Sequence, residues 1–457
     1  MMTNKIRDWL QIDRLTGFTF IQQAQGIIFV PFIIWLVVRC LTPDEQGFYY
    51  TFGGVLGIQT LLELGFTQCI LQFSSHECAD LAWNSQGRLE GNRHNVERLR
   101  SLARLTNTWY AVAAVLLFLV LEFAGEFVFA TKTPGSVPWR VPWLVCSLSA
   151  CVTLASQPVW AILDGAHQRQ WTINGRTAMN IVRSVTISLG LLSGWKLNSL
   201  AAGMGIQAIL GLALPVVYWR KFLLQLCGGT KPSSRMSWRY EILPYQWRIS
   251  LSWAAGYVIF FSLNPIVFKL SGPAAAGQFG MTFNIFQSVV SFSSSWVSSN
   301  YPRLGHLVAR GEAVELLNFW RGAATRATIT AVIFSTAITA GVMALDFADI
   351  PIAARLLPPL AVALLGASAV ANTLIGALAY YLRAHKREPF LSLSLANAVI
   401  TLAVVPVATI LYGGQGAAVG FAICTIVTLP WAFRAFGRFR REFRGPTMVT
   451  ESLVSTS

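Results

Sequence analysis

Few side chains in this sequence are equipped for chemistry, and two of those few interrupt apolar runs. Arg183 stands inside the run 175–194 and Glu63 inside the run 48–72. An ionised group in hydrocarbon is costly, so it faces a cavity, water or a partner. A guanidinium presents a rigid fork of N–H donors that matches phosphate oxygens. Arg183 is therefore a candidate holder of a diphosphate away from water, with snorkelling of its stem toward the interface as the structural alternative. Glu63 is either the counter-charge of Arg183 or a carboxyl that takes up a proton or cation. Amides accompany them within or at the edges of such runs: Gln22, Gln23, Gln25, Gln59, Asn180, Gln207, Asn264, Asn284, Gln287, Asn372 and Asn397. They supply the mixed donors and acceptors that sugar hydroxyls need, or they tie helices together. Asn284, Gln287 and Ser291 recur at helical spacing and would share one face. Arg39 and Lys269 stand at run ends, as interfacial anchors or as phosphate-release positions.

The elements that must position these groups are membrane helices. Of 457 residues 54% are hydrophobic and only 12% charged, with 29 Phe and 16 Trp. Soluble chains carry about a quarter charged residues. The formal charge of +15 suits a nucleic-acid protein, but the hydrophobicity does not, so no nucleic-acid partner is expected. Windows of about 20 apolar residues predict twelve spans: 17–38, 48–72, 105–130, 141–163, 175–194, 198–219, 248–268, 275–298, 322–345, 352–382, 391–412 and 414–433. The expectation is an all-α membrane protein with an amphipathic lead-in over 1–16, an amino lobe over 17–219, a linker over 220–247, a carboxyl lobe over 248–433 and a basic tail over 434–457.

Basic residues favour the cytoplasmic side of a membrane. With the amino terminus cytoplasmic, 28 of the 35 Lys and Arg fall in cytoplasmic segments and 6 outside, leaving Arg183 within a span. Both termini are then cytoplasmic. Membrane lipids are the partner of the surface, including anionic headgroups around Arg434–Arg441.

An internal repeat divides the spans into two sets of six. Arg39, Pro43, Gly47 and Tyr49 follow the first span, and Lys269, Pro273, Gly277 and Phe279 follow the seventh, each displaced by 230. Six is even, so both sets enter from the same side, which predicts two six-helix lobes related by a pseudo-two-fold axis along the membrane normal. Pro31, Pro158, Pro265 and Pro406 are bends or packing points, and Gly53 with Gly57 would let span two approach a neighbour.

The chain resembles the polysaccharide-unit (O-antigen type) flippases of the multidrug/oligosaccharidyl-lipid/polysaccharide exporter superfamily. The residues that carry the resemblance are Leu41-Thr42-Pro43-Asp44-Glu45-Gln46-Gly47-Phe48-Tyr49, Leu61-Leu62-Glu63-Leu64-Gly65-Phe66 and Ile162-Leu163-Asp164-Gly165-Ala166. The sequence departs from the family pattern in having Glu63 where Asp is commoner and in the plain turn Gly272–Gly277. The resemblance implies movement of a polyprenyl-diphosphate-linked oligosaccharide across a bacterial inner membrane, from the cytoplasmic to the outer leaflet, alongside polysaccharide assembly proteins. Related exporters of drugs or of a lipid-linked peptidoglycan precursor are the alternatives, and a polysaccharide polymerase or ligase is a third. A polymerase needs a large external loop with catalytic groups, and the external loops are short, so no enzyme is expected. No cofactor or metal is expected either. The seven Cys lack paired spacing and read as small apolar side chains, and there is no phosphate-binding glycine loop.

Overall fold

A computed structural model of the chain describes residues 29–84, 87–130, 137–228, 243–385 and 390–444. The expectations for the lead-in, for the start of span one with Gln22, Gln23 and Gln25, for 229–242 of the linker and for 445–457 of the tail lie outside them. Helix α1 (Phe29–Cys40) leads through Leu41 and Thr42 into α2 (Pro43–Leu56). Thr42 and Glu45 cap α2 reciprocally. The Glu45 N–H donates to Thr42 Oγ1 at 3.3 Å, and the Thr42 N–H donates to Glu45 Oε2 at 2.9 Å. Pro43 sits where a missing N–H costs nothing.

The sequence predicts one continuous span over 48–72, and the structure breaks it. After α2 come α3 (Gln59–Glu63) and α4 (Phe66–Glu77), bent by 45° at the break. Leu64 and Gly65 both adopt left-handed backbone, φ 51° and 67°, which no helix can carry forward. Strands β1 (Leu81–Trp83) and β2 (Leu89–Gly91) then pair antiparallel, the only strands among the described residues. Helices α5 (Arg93–Phe129), α6 (Arg140–Leu163), α7 (Arg169–Leu192), α8 (Leu197–Cys227), α9 (Leu243–Phe260), α10 (Leu263–Ser271), α11 (Pro273–Ser298), α12 (Tyr301–Arg310), α13 (Ala313–Phe347), α14 (Pro359–Ala384) and α15 (Leu391–Arg444) follow.

Among the described residues seven helical stretches are long and apolar enough to cross a membrane, or eight if the bent pair in α2–α4 is one span. Two of the seven fold back on themselves. α6 and α7 meet at the π-helical turn Asp164–Gln168, where Ala166 and His167 leave helical geometry. Trp160 and Trp171 consequently stack at 5.3 Å, whereas eleven residues of straight helix would separate them by about 16 Å. α15 reverses at Gly413, φ 61° and ψ −141°, and Gly416 then lies so close to the Ala408 carbonyl that no Cβ fits. The expected spans four and five, and eleven and twelve, are thus two helical hairpins.

The chain forms two compact units, one of Pro31–Gly280 and one that joins the residues up to Val30 with those from Met281 onward. In the first, Phe48, Phe52, Phe129, Trp143 and Phe268 pack with ring centroids between 4.9 and 5.4 Å apart. In the second, Leu304 and Leu307 of α12 join Trp320, Tyr381, Phe436 and Phe439 in one buried cluster. That cluster explains why α13 starts at Ala313 instead of 322. Leu316, Leu317, Phe319 and Trp320 bury one face of an extra two turns, so Arg321 is helical rather than in a loop.

The repeat appears in the first unit as a reciprocal contact. A Cβ on Gly47 would meet the Pro273 carbonyl oxygen at 2.0 Å, and one on Gly277 would meet the Pro43 carbonyl oxygen at 3.1 Å. Position 43 of one copy therefore faces position 47 of the other, in both directions. A Cβ on Gly280 would lie 2.5 Å from Tyr50 Cβ, and these two residues are themselves 230 apart. Such exchange of partners is the mark of a two-fold relation. The helix approach expected at Gly53 falls one residue later. Gly53 faces open space, while Gly54 lies against Pro265 and Gly57 against Phe261.

Candidate functional site

Arg183 is set by two helices. α7 begins at Arg169, earlier than the predicted 175, so Arg183 lies fourteen residues in, roughly 21 Å along the axis. It is half-buried, and its Nη1 donates to Gln207 Oε1 of α8 at 3.4 Å. Gln207 Nε2 in turn donates to Asn180 Oδ1 at 2.9 Å. Asn180 and Arg183 are three apart on α7 and so share its face. Arg183 Nε is buried and has no hydrogen-bond partner. Among the described residues no carboxylate pairs with Arg183. The result is a cation deep in the helices, held loosely by a neutral amide, with one donor edge left over.

Glu63 does not supply the counter-charge. The Thr67 hydroxyl donates to Glu63 Oε1 at 2.5 Å and, its one proton so used, accepts from the Tyr110 hydroxyl at 3.0 Å. The cation acting on Glu63 is Arg176, two turns before Arg183 on α7. Arg176 already pairs with Asp164 Oδ2 at 3.1 Å and lies 5.8 Å from the centre of the Trp160 ring. Thr172 donates to the same Asp164 carboxylate. The expected Glu63–Arg183 pair is absent among the described residues: Glu63 is held by Thr67, and the carboxylate on the α7 side is Asp164, which pairs with Arg176.

The remaining predicted residues separate. Gln59 opens α3, half-buried, five residues before the break. Arg39 is exposed and stacks over Trp35 at 5.3 Å. Lys269 Nζ donates to the Phe127 carbonyl at 2.6 Å in the last turn of α5, a favourable place for a cation, and lies 4.3 Å from the Phe127 ring. Both cations therefore make the contacts of anchors. Asn284 is exposed and Gln287 half-buried on α11 in the second unit. The structure brings together Arg183, Asn180 and Gln207.

Two groups escaped the sequence reading. Glu122, inside the predicted span 105–130, accepts from Ser147 Oγ of α6 at 2.5 Å; its charge within an apolar run was the available signal. Lys196, in the α7–α8 corner, pairs at 2.8 Å with Glu45, which is buried. Nothing in the local sequence links those two residues.

Helices of this length, two helical hairpins and a pseudo-two-fold repeat define an all-α, multi-pass membrane protein. Solved structures sharing that fold are transporters of the MOP superfamily. An inward-facing multidrug resistance MATE family transporter matches with a TM-score of 0.65 at 14% identity, covering 91% of this chain and 96% of its own. The lipid II flippase MurJ in its inward closed conformation matches at 0.58 and 10% identity, covering 92% and 88%. A MOP superfamily transporter from Pyrococcus furiosus, described as having a binding pocket of reversed polarity, matches at 0.52 and 13% identity, covering 94% and 98%. No protein-family model and no curated protein matches the sequence.

Proposed function

We propose that the chain is a flippase that moves a polyprenyl-diphosphate-linked oligosaccharide unit from the cytoplasmic to the outer leaflet of a bacterial inner membrane by alternating access. One observation carries the reading: Arg183 is an intramembrane cation with no carboxylate partner among the described residues and an unpaired buried donor. An unpaired charge there is tolerable when an anion visits it. A diphosphate would satisfy the guanidinium, and Asn180 and Gln207 would meet the first sugar. The shared fold with a lipid II flippase supports a lipid-linked cargo. In this reading Gln59 lines the path above the α3–α4 break. Asn284 and Gln287 are sugar-binding amides of the second unit taken by itself, Glu63 is a coupling carboxyl, and Arg39 and Lys269 anchor the outer ends. The lobes are 17–219 and 248–433, both termini face the cytoplasm, and polysaccharide assembly proteins are the cellular partners.

An exporter of small organic molecules is the second reading, favoured by the fold match to a MATE transporter. Purified full-length protein in liposomes separates the two. Movement of a fluorescent short-chain polyprenyl diphosphate between leaflets, lost in Arg183→Gln, supports the flippase. Movement of cationic dyes but not of the diphosphate lipid would sink it.

A further inference from the structure

Glu122 is an ionisable group inside an apolar helix that the anion site does not use. It stands on α5 seven residues before Phe129, the last of that helix, roughly 10 Å from its end. Its Oε1 accepts from Ser147 Oγ of α6 at 2.5 Å, and among the described residues it has neither a second hydrogen bond nor a cation. Arg140 of α6 answers Glu126 instead, one turn further along α5, at 2.7 Å. The half-buried Glu122 lies at the edge of an exposed apolar face. Leu119 and Val115, three and seven residues earlier, share its side of α5 and are exposed, as is Phe123 next to it. Across the seam Ser147 is buried, while Leu144 and Leu148 on either side of it are exposed. The α5–α6 seam is therefore an apolar groove with a carboxyl in its wall.

We propose that this groove seats a membrane helix of another protein, one that carries a lysine or arginine at the level of Glu122. A carboxylate at the border of hydrocarbon is costly without a counter-charge, and one serine hydroxyl carries none. Since no cation of the described residues pairs with it, the charge that matches it comes from outside the chain. The seam suits a helix better than a small cation, because exposed apolar side chains flank it for several turns, from Val112 to Phe127 on α5 and from Val141 to Leu148 on α6. Side-chain ridges of a third helix fit such a groove. The partner gains as well, since its own cation would otherwise be unpaired in lipid. The inference goes beyond the anion-site reading and does not depend on it.

The test uses the full chain in nanodiscs with a benzophenone amino acid in place of Leu148, and synthetic helical peptides of about 20 apolar residues. Each peptide carries Lys, Gln or Leu roughly 10 Å from one end. Cross-linking on illumination, read by mass spectrometry, is expected to be at least about tenfold greater for the Lys peptide than for the other two. Glu122→Gln brings the Lys peptide down to the level of the Gln peptide, and Glu122→Lys reverses the preference toward a peptide carrying Glu. That reversal guards against a variant that has merely lost its fold, which would capture neither. Ser147→Ala leaves the carboxylate in place and keeps the Lys preference. Equal cross-linking of the three peptides by the parent overturns the inference, as does a Lys preference that survives in Glu122→Gln. Glu122-dependent binding of tetraphenylphosphonium without any preference for the Lys peptide assigns the groove to a small cation and likewise overturns it.

Discussion

Arg176 and Arg183 lie two turns apart on the same helix, and their surroundings differ in kind. Arg176 has the Asp164 carboxylate at 3.1 Å, the Trp160 ring at 5.8 Å and the field of Glu63. Arg183 has one amide oxygen at 3.4 Å and no carboxylate among the described residues, while each guanidinium keeps one buried nitrogen without a hydrogen bond, Nε of Arg183 and Nη2 of Arg176. A cation matched by carboxylates is part of the scaffold, because a partner would have to displace them. A cation offered only neutral amides keeps its charge for something else. The comparison teaches that depth in an apolar run is a weaker sign of function than the absence of a fixed counter-charge.

The widest separation between the two arginines is expected from neutralising each in turn. Arg183→Gln should reduce transfer of a diphosphate lipid at least about 30-fold while leaving unfolding in detergent nearly unchanged. Arg176→Gln should do the reverse, with transfer within a few-fold of the parent. Its cost in unfolding free energy should be about 1–2 kcal/mol, discounted because Arg176 is 38% exposed. Equal losses of transfer in both variants would break the comparison. A smaller effect is expected from Arg183→Lys, which keeps the charge and loses the planar fork. Transfer should fall about tenfold, and a lysine that works as well as arginine would show that only charge is needed. Smaller again is the contrast between the two carboxylates beside Arg176. Asp164→Asn removes a direct ion pair and should lower stability more than Glu63→Gln, by about 1 kcal/mol in denaturant titrations.

Much of this was legible before any coordinates. The apolar runs located the helices, and the 230-residue repeat anticipated the two-fold crossing at Pro43, Gly47, Pro273 and Gly277. Arg183 stood out because charge inside an apolar run is rare. What the sequence left hidden depends on backbone reversals and on partners distant in the chain. The left-handed Leu64 and Gly65 break a run that reads as uniformly apolar, since hydropathy has no term for backbone angle. The Glu63–Arg183 pair was expected from similar depth, yet Glu63 is held by Thr67, and the carboxylate on the α7 side is Asp164, which pairs with Arg176. The motif glycine Gly165 is explained only by the fold: a Cβ there would lie 2.0 Å from Ser74 Oγ of α4. Gln207 was one amide among eleven until its bonds to Arg183 and Asn180 distinguished it.

The smallest predicted effect tests whether those amides set the Arg183 side of the comparison or merely fill space. Gln207 accepts from Arg183 with Oε1 and donates to Asn180 with Nε2, so Asn180 fixes which end of the amide faces the guanidinium. Asn180→Ala frees that amide to turn its N–H toward the cation, which is unfavourable. Gln207→Leu removes the amide outright, and each single change should weaken farnesyl diphosphate binding about three- to fivefold, the scale of one interhelical hydrogen bond. Since both act through the same oxygen on Arg183, their effects should not add. The double variant should bind about as well as Gln207→Leu alone. Additive losses in a calorimetric double-mutant cycle would mean that Asn180 and Gln207 meet the ligand independently. Arg183 would then be oriented by the ligand itself, not by its neighbours.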